Sequence, residues 1–266
     1  PRGRELAPIV RRAFQVAQSS PSGPAYVMLP REALMEPGVH ALPRRLPPAI
    51  PPGPDPGALG RLAGILVAGR RVVIVTSRTA ADPGAATVLA RIAELLGAPV
   101  IDQGDRANLP LGHPLHVVGD ATPLETADTV LLLDCEVPWV PAQQAPPADA
   151  RVVQIDADPV KASMPLWTYP VEIALTADTR VTLLLLEQTL LRLATDELRA
   201  TWSARRQTAE SDLAQRRREA IRRAASDRPA DAPDALLAAL GAALPENAVV
   251  VQEAVTNRAA VARQVQ

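Results

Sequence analysis

The chain has 266 residues, 47% of them apolar, and a formal net charge of -1. That is enough for one large domain or two small ones with a sizeable core, and the charge excludes a global pull toward nucleic acid or an anionic membrane surface. One cysteine, Cys135, excludes an internal disulfide and a cysteine-based metal cluster, which fits a reducing cytoplasm. Aromatics are 2% and prolines number 28, so the core must be Ala, Leu and Val with many enforced turns. No uncharged apolar run reaches 18 residues, and the first residues, PRGRELAPIV, lack an initiator Met and a signal-peptide core, so the chain is expected to begin mid-protein.

Residues 5–18 place Leu6, Ile9, Val10, Ala13, Phe14 and Ala17 at helical spacing, and Ser-Pro-Ser-Gly-Pro at 20–24 ends that helix. A short strand is expected at 25–29. One helix and one strand bury too little for a domain, so they read as the closing unit of one. Prolines crowd 37–56, as in a stiff, extended linker.

Asp55-Pro56 then signals a helix to 68, because Asp accepts a free first-turn N–H and Pro lacks one. The stretch 71–110 reads as strand, turn, helix, strand and loop. The run 72–75 is apolar and β-branched, as in a strand buried on both faces. Asp82-Pro83 caps a helix that Gly97 stops, and 98–101 is a second strand. A loop with His113 and His116 follows, then a helical piece at 124–127 and strands at 129–133 and 151–155, ending in Asp134 and Asp156. Asp158-Pro159 predicts another short helix, 171–175 a fifth strand, and Asp178 a helix to about 193. Strands alternating with helices predict a doubly wound α/β domain. Residues 197–225 read as a charged, mostly solvated helix, 234–244 as an apolar helix and 248–251 as a buried-type strand.

Ligands of open parallel sheets gather beyond the carboxyl ends of the strands. Here those ends carry Thr76, Ser77, Arg78, Asp102, Asp134 and Asp156, but SRTAADPGA lacks the G-x-G-x-x-G that lets a pyrophosphate approach the backbone. His113 and His116 lie among prolines with no third metal ligand nearby, which favours two loop histidines. Cys135 follows a buried strand with no adjacent base and reads as an inert thiol. Asp82, Asp158 and Asp178 are accounted for as caps. The Arg clusters at 205–223 are interleaved with acids and read as a solvated face. The polar loop Glu253, Thr256, Asn257 follows the last strand and offers donors to a phosphate.

In order, these segments resemble thiamine-diphosphate-dependent enzymes of the acetolactate synthase and benzoylformate decarboxylase superfamily. RAFQVAQSSPSGPAYVMLPREAL (12–34) is similar to the end of the family's pyrimidine-binding domain. NLPLGHPLH (108–116) and VVQIDADP (152–159) are similar to the Pro-x-x-His-Pro loop and the Ile-Asp-x-Asp-Pro segment of its central domain. DALLAALGAALPENAVVVQEAVTN (234–257) is similar to the beginning of its diphosphate-binding domain. The family's activating glutamate and its Gly-Asp-Gly…Asn metal segment do not occur here, and SRTAA and VVGDA replace the glycines of flavin-binding members.

The resemblance implies an internal fragment: an α/β, mainly parallel, doubly wound sheet of five to six strands with partial α/β domains at both ends. Its expected parts are the end of a pyrimidine-binding domain (1–38), a Pro-rich linker (39–53), the central domain (54–192), a charged helical linker (193–230) and the start of a diphosphate-binding domain (231–266). The implied cofactors are thiamine diphosphate and magnesium, both needing further parts, with FAD disfavoured. The implied parent is a cytoplasmic homodimer or homotetramer making or breaking a carbon-carbon bond in a 2-oxo acid, without nucleic-acid or membrane partners. No catalytic residue or metal ligand is assigned. Glu253, Thr256 and Asn257 are the expected cofactor contacts. A nucleotide- or FAD-binding module and an Arg-rich nucleic-acid-binding protein are the alternatives.

Overall fold

The computed structural model describes residues 2–37, 44–103, 107–110, 112–117, 120, 122–226, 233–245, 247–257, 260–261 and 264–265. The chain divides into two compact units, 1–53 and 54–266.

In the first unit, helix α1 (Gly3–Gln18) starts with the Glu5 carboxylate accepting the Arg2 N–H, and a short helix α2 (Arg31–Met35) follows. The Glu36 carboxylate accepts the Gly3 N–H at 2.7 Å and ties the two together. The Pro-rich residues 44–55 form neither helix nor strand, and part of them lies against α1: Arg11 and Gln15 donate to the Arg44 and Pro47 carbonyls, and Ser19 accepts the Ala49 N–H. The strand expected at 25–29 is not formed, and Tyr26 and Met28 are exposed. A strand needs a hydrogen-bonded neighbour, and no described segment supplies one.

The second unit is built on a sheet of six parallel strands: β1 (Val72–Thr76), β2 (Val100–Asp102), β3 (His116–Val117), β4 (Thr129–Leu133), β5 (Arg151–Asp156) and β6 (Ile173–Thr176). Their order is β3-β2-β1-β4-β5-β6, so the direction of winding reverses between β1 and β4, where Val72 to Thr76 lie in register with Thr129 to Leu133. Because side chains alternate, Ile74, Leu131 and Leu133 enter one apolar layer and Val73, Val75, Val130 and Leu132 the other. Both faces being buried explains why these strands are uninterrupted apolar runs.

The first layer is covered by α3 (Pro56–Ala68), α4 (Pro83–Leu96) and α6 (Thr179–Leu193), which contribute Leu62, Leu66, Leu89, Ile92, Leu183 and Leu186. Each is capped as its sequence dictates, with Asp55, Asp82 and Asp178 accepting from Ala58, Gly84 and Val181 N–H. The second layer is covered by the short α5 (Thr122–Glu125), by irregular chain carrying Trp139 and Tyr169, and by Leu213.

Three expectations change here. His116 is not a loop residue: it opens β3, which is too short for its periodicity to show in the sequence. The helix after Asp158 is only a turn, since the Asp158 carboxylate accepts the Lys161 N–H and Lys161 turns to φ 50. Residues 248–251 are in no sheet, and Val249 and Val251 are about nine-tenths exposed, again for want of a neighbouring strand among the described residues.

The long charged helix α7 (Asp196–Ser226) is the largest departure from a solvated face. It lies along the amino-terminal edge of the sheet. Trp202 is buried in the first layer, and Leu213 in the second. Arg205 donates to the Leu96 and Gly69 carbonyls at 3.1 and 2.7 Å, and Arg217 to those of His113 and His116 at 3.1 and 2.5 Å. Burial lowers the pKa of both guanidinium groups below the usual arginine value. Helix α8 (Pro233–Ala243) follows, with the Gln264 backbone packed on Gly241.

Candidate functional site

The carboxyl ends of β1, β2 and β4 surround a crevice of about 410 Å³ at the point where the strand order reverses, bordered by Ser77, Asp102, Gln103, Asp120, Trp139 and Gln144. This is where an open α/β sheet holds a ligand. Whether these residues can do so depends on what their polar groups already bind.

At the end of β2, Asp102 and Asn108 are hydrogen-bonded to each other. Asn108 donates its backbone N–H and its amide N–H to the two oxygens of Asp102 at 2.7 and 3.0 Å. Its amide also donates to the Ser77 carbonyl, and its amide oxygen accepts the Ala80 N–H. Buried His116 places Nε2 3.3 Å from Asp102. The turn after β1 is thereby pinned to the loop after β2.

At the end of β4, Asp134 adopts φ 43 and accepts hydrogen bonds from Thr179 at 2.6 Å and Thr79 at 3.2 Å. Burial, opposed by these two hydroxyls and reinforced by the nearby charge of Asp156, pushes its carboxyl up to about 6. Cys135 is buried beside Ser77 Oγ at 3.1 Å, and burial pushes its thiol up to about 12. It is an inert thiol, in agreement with its sequence context.

At the end of β5, buried Asp156 pairs with buried Lys161 at 2.8 Å and accepts the Asp158 N–H. Lys161 is the chain's only lysine, and a compact ammonium satisfies one carboxylate in a space where a planar guanidinium would need more acceptors. Its solitude in an Arg-rich sequence is a signal that sequence reading could have used. Asn108 offers no such signal, because its partners include the turn after β1, about thirty residues away in sequence.

The first turn of α4, where a pyrophosphate would sit, is capped by Asp82, whose carboxylate takes the Gly84 N–H at 2.8 Å. His113 sits 3.2 Å from Glu94 while His116 faces Asp102, so the two imidazoles have different partners and do not converge. Among the described residues no group of three His, Cys, Asp or Glu could hold a metal ion. None of their helices is long and apolar enough to cross a membrane.

Glu253, Thr256 and Asn257 are all exposed. The Asn257 carbonyl accepts the Val261 N–H at 2.9 Å, so the loop leads into a helical turn. Among the described residues, no hydrogen bond or ion pair joins these three side chains to another polar group. Within the Arg clusters, Arg205 and Arg217 hold carbonyls and Arg206 bridges Glu94 and Glu210, while Arg218 and Arg222 are exposed as expected of a solvated face.

The second unit is thus a doubly wound α/β domain whose carboxyl edge is bound up in its own side chains. Residues 59–186 match the family described as thiamine pyrophosphate enzyme, central domain. A search of curated proteins returns no match. Among solved structures, the chain is similar to a candidate thiamin diphosphate-dependent enzyme from Mycobacterium smegmatis, with 20% identity and a TM-score of 0.67 over 99% of this chain and 49% of that one. It is also similar to benzoylformate decarboxylase from Polynucleobacter necessarius, with 20% identity and a TM-score of 0.66 over 99% of this chain and 48% of that one. At that identity the likeness is one of fold. The chain spans about half the length of these structures.

Proposed function

We propose that this chain is the central part of a thiamine-diphosphate- and magnesium-dependent enzyme, acetolactate synthase-like, that cleaves or forms a carbon-carbon bond beside the carbonyl of a 2-oxo acid. The parent would be a cytoplasmic homodimer or homotetramer, either a lyase or a transferase. The proposed parts are the end of a pyrimidine-binding domain (1–38), the Pro-rich linker (39–53), the central domain (54–192), a helical linker (193–230) and the start of a diphosphate-binding domain (231–266).

The observation that carries this reading is the central-domain match of 59–186, combined with strand ends whose acids are engaged with Asn108, Thr79, Thr179 and Lys161. Such an edge supports architecture rather than chemistry. The cofactor would supply the nucleophile. The Asp82 cap on α4 and the absence of glycines in 77–82 count against flavin. In the complete enzyme, Thr256 and Asn257, with Glu253, are proposed to lie at the diphosphate.

The test is turnover. The homogeneous 266-residue chain, given thiamine diphosphate, magnesium and pyruvate or benzoylformate, is expected to release no carbon dioxide. The longer protein encoded with its flanking sequence is expected to do so. Turnover by the chain alone, or none by the longer protein with any 2-oxo acid, overturns the reading. In the longer protein, Thr256→Val should weaken cofactor affinity roughly tenfold, as loss of a hydrogen bond to a phosphate does. Unchanged affinity in both Thr256→Val and Asn257→Ala places the loop elsewhere.

A further inference from the structure

Between α7 and the amino-terminal edge of the sheet lies a second cavity, of about 660 Å³, on the opposite side of the domain from the crevice. Its volume is that of a site for a drug-sized molecule. Apolar groups line it, among them Val67, Val72, Pro99, Leu198, Ala209 and Leu213. Four arginines, Arg70, Arg71, Arg205 and Arg216, also line it, against one carboxylate, Asp212.

The polar groups there are not all engaged. The Arg70 and Arg71 side chains are exposed and make no hydrogen bond or ion pair among the described residues; only their backbone N–H groups are held, by Asp128. Arg205 is held by two carbonyls, with no carboxylate in contact, and Arg216 lies 3.7 Å from Asp120. Trp202, also in the lining, is 1% exposed, and its buried indole Nε1–H has no acceptor. A buried donor without an acceptor costs about 1–3 kcal/mol, and most native ones are paired. Cationic groups beside an apolar cavity are complementary to one kind of molecule.

We propose that this cavity binds an amphipathic organic anion, a carboxylate or phosphate on an apolar body. The body occupies the space against Val67, Leu198 and Ala209. The headgroup meets Arg70 and Arg71, where a fork of N–H donors matches its oxygens. Since α7 forms one wall, binding also fastens α7 to the sheet.

The test uses the full chain with octanoate and octyl phosphate as probes and octan-1-ol as the uncharged control, read by titration calorimetry and tryptophan fluorescence. Both anions are expected to bind saturably, one to one, below about 1 mM, a strength in keeping with ligands of their size. Arg70→Ala/Arg71→Ala should weaken the anions at least tenfold and leave the alcohol within twofold. Thr208→Trp, a bulky side chain placed on the cavity wall at an exposed helix position, should abolish binding of all three. Tighter binding of one anion than the other identifies the preferred headgroup and supports the site. Absence of saturable binding, octan-1-ol binding as tightly as octanoate, or affinities that neither variant alters would overturn the proposal.

Discussion

Replacing Gly97 by alanine should loosen α7 from the domain. Gly97 ends α4 at φ 61 and ψ 39, a left-handed conformation that costs an alanine about 1–2 kcal/mol. An added Cβ would also stand 2.5 Å from Arg206 N, 2.8 Å from Trp202 O and 2.9 Å from Arg206 Cα, all backbone atoms of α7 that cannot swing aside. Overpacking of this kind costs about 1–3 kcal/mol. Relief by moving α7 would stretch the bonds from Arg205 to the Leu96 and Gly69 carbonyls, so the two costs add to about 2–5 kcal/mol, a large share of a typical domain's stability. All three tryptophans lie in the second unit, so urea unfolding followed by their fluorescence reports on it. Gly97→Asn, which tolerates the left-handed region, isolates the clash and should keep about 1–3 kcal/mol of the loss. If both variants unfold within about 0.5 kcal/mol of the parent chain, α7 does not rest on Gly97 and the reasoning fails.

Asp134 titrates near 6 in the fold against a reference of 3.8, so the folded state holds its proton more tightly. Its contribution to stability is complete below pH 3.8 and is lost as pH rises through 6, by up to about 3 kcal/mol. Asp134→Asn should therefore gain on the parent chain between pH 4 and 7, and a stability difference that stays flat with pH would show that burial does not raise this carboxyl. Arg205→Met, which keeps the packing of the stem but removes donors to two carbonyls, should lower stability by about 2–4 kcal/mol in urea melts; a change below 0.5 kcal/mol would return α7 to a solvated role. Cys135 should react with a thiol reagent at least about a hundredfold more slowly in the native chain than in urea, since its pKa is pushed up to about 12 and it is buried. Rapid native labelling at pH 8 would contradict that burial.

What could be read from the sequence alone was local and periodic. The continuous run Val72 to Val75 announced a strand buried on both faces, and Asp55-Pro56, Asp82-Pro83 and Asp178 announced helix starts, because caps and prolines act through the backbone within three residues. The ordered segments at 108–116 and 152–159 carried the resemblance that the match of 59–186 supports. Tertiary structure decided what depends on distant partners. It made His116 part of a two-residue strand and left 25–29 and 248–251 without ladders, since a strand is defined by its neighbour. It turned Arg205 and Arg217 from a solvated face into clamps on carbonyls more than a hundred residues away, which charge patterning along α7 has no means of encoding. It also gathered Asp102, Asn108, Asp134, Asp156 and Lys161 from separate strand ends. Which acid has its pKa raised and which is paired with a cation is set by the burial and hydrogen bonds that the assembled edge creates.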